Sequence, residues 1–119
     1  MIVPMILGSK ADIDHAKTIG KVLEDFGVKY EIYVSSAHKV PEKTMALIEK
    51  FNEKKESVCF VAIAGRSNAL SGLVSANTHF PVVACPPFKD YADYLANIHS
   101  TLQMPSEVPA LTVVDPKNA

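Results

Sequence analysis

The stretch Ile2-Val3-Pro4-Met5-Ile6-Leu7-Gly8-Ser9-Lys10-Ala11-Asp12 reads as a buried strand, a tight turn and the opening of a helix. The run from Ile2 to Leu7 is almost continuously apolar, as a strand covered on both faces must be. Pro4 can donate nothing to a ladder, so an unpaired side or a local distortion is expected there. After Asp12, Ile13, Ala16, Ile19, Leu23 and Phe26 recur three or four residues apart. That spacing predicts a helix burying one stripe, and Gly27 ends it.

The same unit repeats along the chain. Tyr30 to Val34 is a second strand, followed by a helix with Pro41 at its first position and Met45, Ile48 and Phe51 on its inner stripe. Val58 to Ile63 is a third strand, Ala69 to Ala76 a short helix of small residues, and Pro81 to Ala84 a short fourth strand. Tyr91, Leu95, Ile98 and Leu102 give the next helical stripe, and Ala110 to Val114 a fifth strand. Strands alternating with helices predict an α/β fold: three α/β/α layers around a parallel five-stranded sheet of flavodoxin-like order. The 119 residues suffice for one domain, residues 1–119. A doubly wound sheet needs cover on both faces, and no helix follows the fifth strand. The expectation is a truncated chain or a face covered by a neighbouring subunit.

Composition narrows the function classes. The net charge of −1 offers no bulk attraction for nucleic acid or a membrane surface. No apolar stretch reaches the roughly 18–20 residues that span a bilayer. Met1-Ile2-Val3-Pro4 lacks the basic start of a secretory leader. Cys59 lies within an apolar run and reads as a small buried hydrophobe, whereas Cys85 precedes Pro86-Pro87 at a strand end and is able to approach a site. Neither belongs to a C-x-x-C, and His15, His38, His79 and His99 show no metal-ligand spacing. A reduced, cytoplasmic, metal-free protein is expected.

Ligands of open α/β sheets sit outside the carboxyl ends of the strands. Three such ends carry small, hydroxyl-bearing and charged residues: Gly8-Ser9-Lys10-Ala11-Asp12, Ser35-Ser36-Ala37-His38-Lys39 and Ala64-Gly65-Arg66-Ser67-Asn68. Together they read as one composite site. Histidine is the side-chain type suited to moving a proton, which makes His38 the candidate for proton transfer, and Lys39 beside it adds positive charge. Ser9 and Asp12 stand at a helix amino end, where exposed N–H groups and the dipole favour an anion, but Ser-x-x-Asp is also a capping pattern. Asp12 is equally suited to accept from paired ribose hydroxyls. Gly65 admits close backbone approach, while Ser67 and Asn68 offer adaptable hydrogen bonding. Arg66, the only arginine, is either a surface residue or a bidentate clamp on a carboxylate or phosphate, and its place at a strand end favours the clamp.

Gly8-Ser9-Lys10-Ala11-Asp12, Ser36-Ala37-His38-Lys39, Ala64-Gly65-Arg66-Ser67-Asn68 and Pro81-Val82-Val83-Ala84-Cys85-Pro86-Pro87 together resemble the PurE family of purine biosynthesis, and Leu102-Gln103-Met104-Pro105 and Lys117-Asn118-Ala119 continue the match in register. Lys39 after His38, Arg66-Ser67-Asn68, and His15 following Asp12 look like the branch that carboxylates 5-aminoimidazole ribonucleotide (AIR) with CO2, rather than the mutase branch that rearranges an N-carboxylated substrate. The resemblance implies that Ser9 holds the phosphate and Asp12 the ribose hydroxyls. It implies that Ser36, Lys39, Gly65 and Ser67 line the base and CO2 pocket and that His38 transfers the proton. It also implies no cofactor beyond CO2 as co-substrate, and a homo-octamer. Two positions depart from the family pattern. Ala11 replaces a usual second serine and removes a hydroxyl contact, and Glu107 stands where glycine is usual, at a turn.

Rival classes fit poorly. A receiver-type signalling module needs an acidic pair after the first strand, where this chain has Gly8-Ser9. A flavodoxin-like carrier, or a non-enzymatic nucleotide-binding module of that kind, needs aromatic rings beside a hydroxyl-rich loop; the chain has no tryptophan and one hydroxyl in its first loop.

Overall fold

The computed structural model describes residues 1–119. Five strands, β1 (Ile2–Leu7), β2 (Lys29–Val34), β3 (Phe60–Ile63), β4 (Val82–Ala84) and β5 (Leu111–Thr112), alternate with α1 (Ile13–Asp25), α2 (Pro41–Asn52), α3 (Leu70–Ala76) and α4 (Tyr91–Leu102). The sheet is wholly parallel in the order β2-β1-β3-β4-β5, the flavodoxin-like arrangement expected from the alternation. β1 lies inside the sheet between β2 and β3, with all six residues buried and all six paired to β2, from Ile2–Lys29 to Leu7–Val34.

Pro4 interrupts only one side of β1. The ladder to β3 makes an isolated bridge at Ile2–Val58 and resumes at Met5–Val61, so the gap falls where the proline lacks its N–H. The third strand is accordingly shorter than the apolar run that predicts it, and the fifth, at the sheet edge, pairs with β4 only at Leu111 and Thr112.

Period-two alternation divides the core. Ile2, Ile6, Phe60 and Ala62 face α2 and α3 and meet Ile48, Phe51, Leu70 and Val74. Val3, Met5, Leu7, Val61 and Ile63 face the other way and meet Ala16 and Ile19 of α1, with Cys85 and Ala119. A 3₁₀ turn, Pro116–Asn118, packs against α1.

Three local expectations are corrected. Phe26 is 80% exposed rather than buried, because α1 ends at Asp25 and the chain is already turning into Gly27, which has φ +67°. Cys59 is half-buried, since it precedes β3 and lies outside the full ladder. The largest difference is in α4. Its apolar stripe faces outward, with Tyr91 74%, Leu95 37% and Leu102 61% exposed. Asn97 and Thr101 are its buried residues, and the helix contributes to neither apolar cluster.

Candidate active site

The carboxyl ends of β1, β2 and β3 lead into adjacent loops, as the parallel register requires. Between them lies a half-open cleft of about 180 Å³. Gly8, Ser9 and Asp12 line it from the first loop, Ser36, Ala37 and His38 from the second, and Ala64, Gly65, Arg66 and Ser67 from the third. A larger, shallower depression of about 750 Å³ adjoins it and shares Ser9, Asp12, Gly65 and Arg66. Its remaining walls come from α1 (Asp14, His15, Thr18) and from Pro87, Phe88, Lys89, Asp93 and Asn97 around the start of α4. Ser9, Asp12, Ser36, His38, Gly65, Arg66 and Ser67 therefore line one continuous hollow, whereas Asn68 is buried behind it against α4. Lys39 is exposed and lines neither part.

Each loop is held by its own chemistry. Ser9 caps the Lys10–Asp12 turn, accepting from the Ala11 N–H at 3.2 Å. The capping reading and the site reading of Ser9 coexist, since this residue also faces the cleft. Half-burial raises the Asp12 pKa, opposed by the Ser9 backbone N–H. In the second loop Ser36 Oγ accepts from the Lys39 N–H (3.3 Å) and the Ser36 carbonyl from the Val40 N–H (3.0 Å), a turn that brings His38 to the rim. Beneath it Ser35 and Thr44 form a buried hydroxyl pair at 2.8 Å.

The third loop is tied to α4. Arg66 pairs with Asp93 at 2.5 Å, and Asp93 also accepts from the Lys89 N–H at 3.1 Å. Those contacts hold the Asp93 carboxyl below its usual range. Arg66 is thus a clamp on a carboxylate of the protein itself. Asn68 donates from its backbone to Ser100 Oγ (2.6 Å) and from its amide to Thr101 Oγ1 (2.9 Å). Asn97 donates to the Pro87 carbonyl at 2.6 Å and lies against Gly65, where an added Cβ would come within 3.2 Å of its amide nitrogen. A side chain at position 65 would crowd that wall unless the Asn97 amide shifted by a few tenths of an ångström.

The loops meet at His38, whose Nε2 lies 2.8 Å from the Ser67 carbonyl oxygen. Ser67 itself adopts a left-handed backbone, φ +53°. On the far wall His15 Nε2 sits 3.3 Å from Cys85 Sγ. Burial lowers the His15 pKa, and burial together with the Asp115 charge pushes the Cys85 thiol up to about 11. That thiol is protonated and unreactive near neutrality, so the expected approach of Cys85 to the site is structural rather than nucleophilic. No group of three His, Cys, Asp or Glu side chains is placed to hold a metal ion. The hollow provides two imidazoles, His38 in the narrow cleft and His15 in the larger depression, several hydroxyl and backbone donors, and the carboxylates of Asp12, Asp14 and Asp93.

Asp93, Asn97, Ser100 and Thr101 were not legible as site residues from the sequence. Their polar one-in-four spacing along a helix was the available signal, and the competing apolar stripe concealed it.

The AIR carboxylase family model matches residues 2–119. A phosphoribosylaminoimidazole carboxylase of Archaeoglobus fulgidus is 47% identical over 97% of this chain and 62% of its own length. In Drosophila melanogaster, a bifunctional phosphoribosylaminoimidazole carboxylase/phosphoribosylaminoimidazole succinocarboxamide synthetase is 37% identical over 99% of this chain, which spans 27% of that protein. The crystal structure of Treponema denticola PurE superposes with a TM-score of 0.92 at 38% identity, over 99% of this chain and 74% of that one.

Proposed function

We propose, from the premise that this chain belongs to the AIR carboxylase family, that it carboxylates C4 of 5-aminoimidazole ribonucleotide with CO2, giving the 4-carboxylate in purine biosynthesis. The observation that carries this reading is the convergence on one cleft of a single imidazole, His38, with the Ser9, Ser36 and Gly65–Ser67 loops. The aminoimidazole ring is an enamine whose C4 is nucleophilic, so attack on CO2 needs no prior activation by ATP, biotin or metal. The C4–CO2 bond forms first. The C4–H bond then breaks, its electron pair restores the aromatic ring, and His38 takes the proton.

General base catalysis of this kind contributes about 10²–10⁴-fold. Positioning of CO2 against C4 supplies more. The larger depression, with Asp12 and the Ser9 turn at its edge, suits the ribose and phosphate. The narrower cleft beside His38 suits the base and CO2. Lys39, outside the cleft, supplies positive charge at its rim.

The protein acts without a cofactor, in the cytoplasm, and as a homo-oligomer, an octamer by family resemblance. Support for assembly comes from the outward apolar stripe of α4, which a second subunit would bury. No helix is long and apolar enough to cross a membrane.

The decisive experiment supplies AIR and bicarbonate without ATP and follows formation of the 4-carboxylate. Product at a rate above that from the N-carboxylated ribonucleotide supports direct carboxylation, and faster turnover of the N-carboxylated compound refutes it. His38→Asn is expected to abolish turnover while ribonucleotide affinity stays within roughly tenfold, since it removes a transition-state role. Near-normal turnover by that variant removes His38 from the mechanism.

A further inference from the structure

We infer that Ser67 is a positioning residue: its carbonyl holds His38 as the Nε2–H tautomer, so that Nδ1 is the atom that receives the substrate proton. A carbonyl oxygen only accepts hydrogen bonds, so at 2.8 Å the hydrogen between it and His38 belongs to Nε2. The other neutral tautomer would set the Nε2 lone pair against the carbonyl lone pair at that distance. The lone pair of the neutral ring is thereby confined to Nδ1.

The backbone at Ser67 is shaped for this bond. Its φ of +53° lies in the left-handed region that favours glycine, yet a serine stands there. Flanking residues hold it from both sides: Arg66 is paired with Asp93, and Asn68 is bonded to Ser100 and Thr101. The Ser67 carbonyl also accepts from the Ala69 N–H at 2.9 Å, so both its lone pairs are engaged and its direction is fixed. The polar stripe of α4 thus reaches His38 through three residues of the third loop.

The consequence for chemistry builds on His38 as the proton-transfer residue. As the carboxylated intermediate rearomatises, the proton on C4 passes to Nδ1 and the C–H electron pair returns to the ring. His38 becomes an imidazolium, and its Nε2–H then donates as a charged group to the same carbonyl, a stronger bond than the neutral one. Release of the Nδ1 proton to water restores the starting tautomer.

The tautomer is observable without substrate or turnover, which separates failure here from failure of the carboxylase reading. Long-range ¹H–¹⁵N spectra of the full chain labelled at histidine, recorded at a pH where the rings are neutral, distinguish Nε2–H from Nδ1–H. Comparison with His38→Gln identifies the His38 signals. The expected pattern for His38 is Nε2–H with an unprotonated Nδ1. A predominant Nδ1–H form, or an even mixture, overturns the inference.

Ser67→Val places a β-branched residue at a left-handed position and swings the carbonyl away. It is expected to convert His38 to a mixed population and to lower kcat about tenfold or more through mispositioning. Ser67→Gly accepts the same φ and is expected to keep the Nε2–H pattern. An unchanged pattern in Ser67→Val overturns the role of Ser67, and the wild-type spectrum decides the tautomer even if that variant fails to fold.

Discussion

Replacing Thr44 by valine is expected to destabilise the protein more than replacing both members of its hydroxyl pair. Thr44 and Ser35 are fully enclosed, with Oγ1 and Oγ 2.8 Å apart, beneath the loop that carries His38. Thr44 Oγ1 also donates to the Val40 carbonyl at 3.2 Å. Each hydroxyl has one proton, so Thr44 spends its proton on Val40, and Ser35 must donate to Thr44. Valine at 44 therefore strands the Ser35 O–H in a buried site, a loss of about 1–3 kcal/mol. Ser35→Ala leaves the Thr44 hydroxyl bonded to Val40 and costs only one ordinary hydrogen bond, about 1 kcal/mol. In the double variant nothing is stranded, so the loss returns to about 1 kcal/mol rather than the roughly 3 kcal/mol expected from summing the singles. The implied coupling is about 2 kcal/mol. Urea unfolding followed by far-UV circular dichroism, at one protein concentration and with unchanged slope, measures all four corners of the cycle. Losses that add to within about 0.5 kcal/mol would refute the proton assignment.

Three other outcomes follow from single groups. Glu107 has φ +66°, at the position where the resemblance led to an expectation of glycine. Glu107→Gly should stabilise by about 0.5–1 kcal/mol, the 1–2 kcal/mol of left-handed strain less the backbone entropy of glycine; a lower urea midpoint would contradict this. His15 titrates below 6.5 in the folded chain, so the unfolded chain binds the extra proton first. Stability should decline as pH falls from 6.5 through the folded value, and His15→Gln should flatten that part of the stability–pH curve. Burial raises both thiols, Cys85 to about 11, so iodoacetamide at pH 8 should leave the buried Cys85 of the folded chain unmodified, react with the half-buried Cys59 more slowly than with a free thiol, and alkylate both cysteines in urea.

What the sequence disclosed was the part governed by short-range rules. Continuous apolar runs from Ile2 to Leu7 and from Val58 to Ile63 announced buried strands, and the alternation of strand and helix implied the parallel sheet on which three loops converge. Pro4 was legible as a ladder gap, although only pairing shows that the gap faces β3. Phe26 misled because helical spacing continues past the point where the backbone has already turned. At the site, the loops could be named from residue type and place, but long-range partners could not. Arg66 presented two readings, and its partner Asp93 lies 27 residues away. Nothing local to Ser67 marks it as left-handed, because that conformation is imposed by bonds from α4 to its neighbours.

The helix α4 shows the limit of periodicity most clearly. A spacing of three and four residues correctly groups Tyr91, Leu95, Ile98 and Leu102 on one side, but it does not say which side the protein covers. Packing against an apolar core would have turned that stripe inward. Instead α4 lies along the rim of the cleft, where its neighbours are Arg66, Asn68 and the Pro87 carbonyl, all needing polar partners. An apolar inner face would leave the buried Asn68 and the half-buried Pro87 carbonyl unbonded, at about 1–3 kcal/mol each, and would remove the partner of the exposed Arg66. Turning Asp93, Asn97, Ser100 and Thr101 inward satisfies them and exposes the apolar side as a consequence. The arrangement that holds the third loop, and through the Ser67 carbonyl the His38 ring, is therefore the same one that leaves the apolar side of α4 exposed.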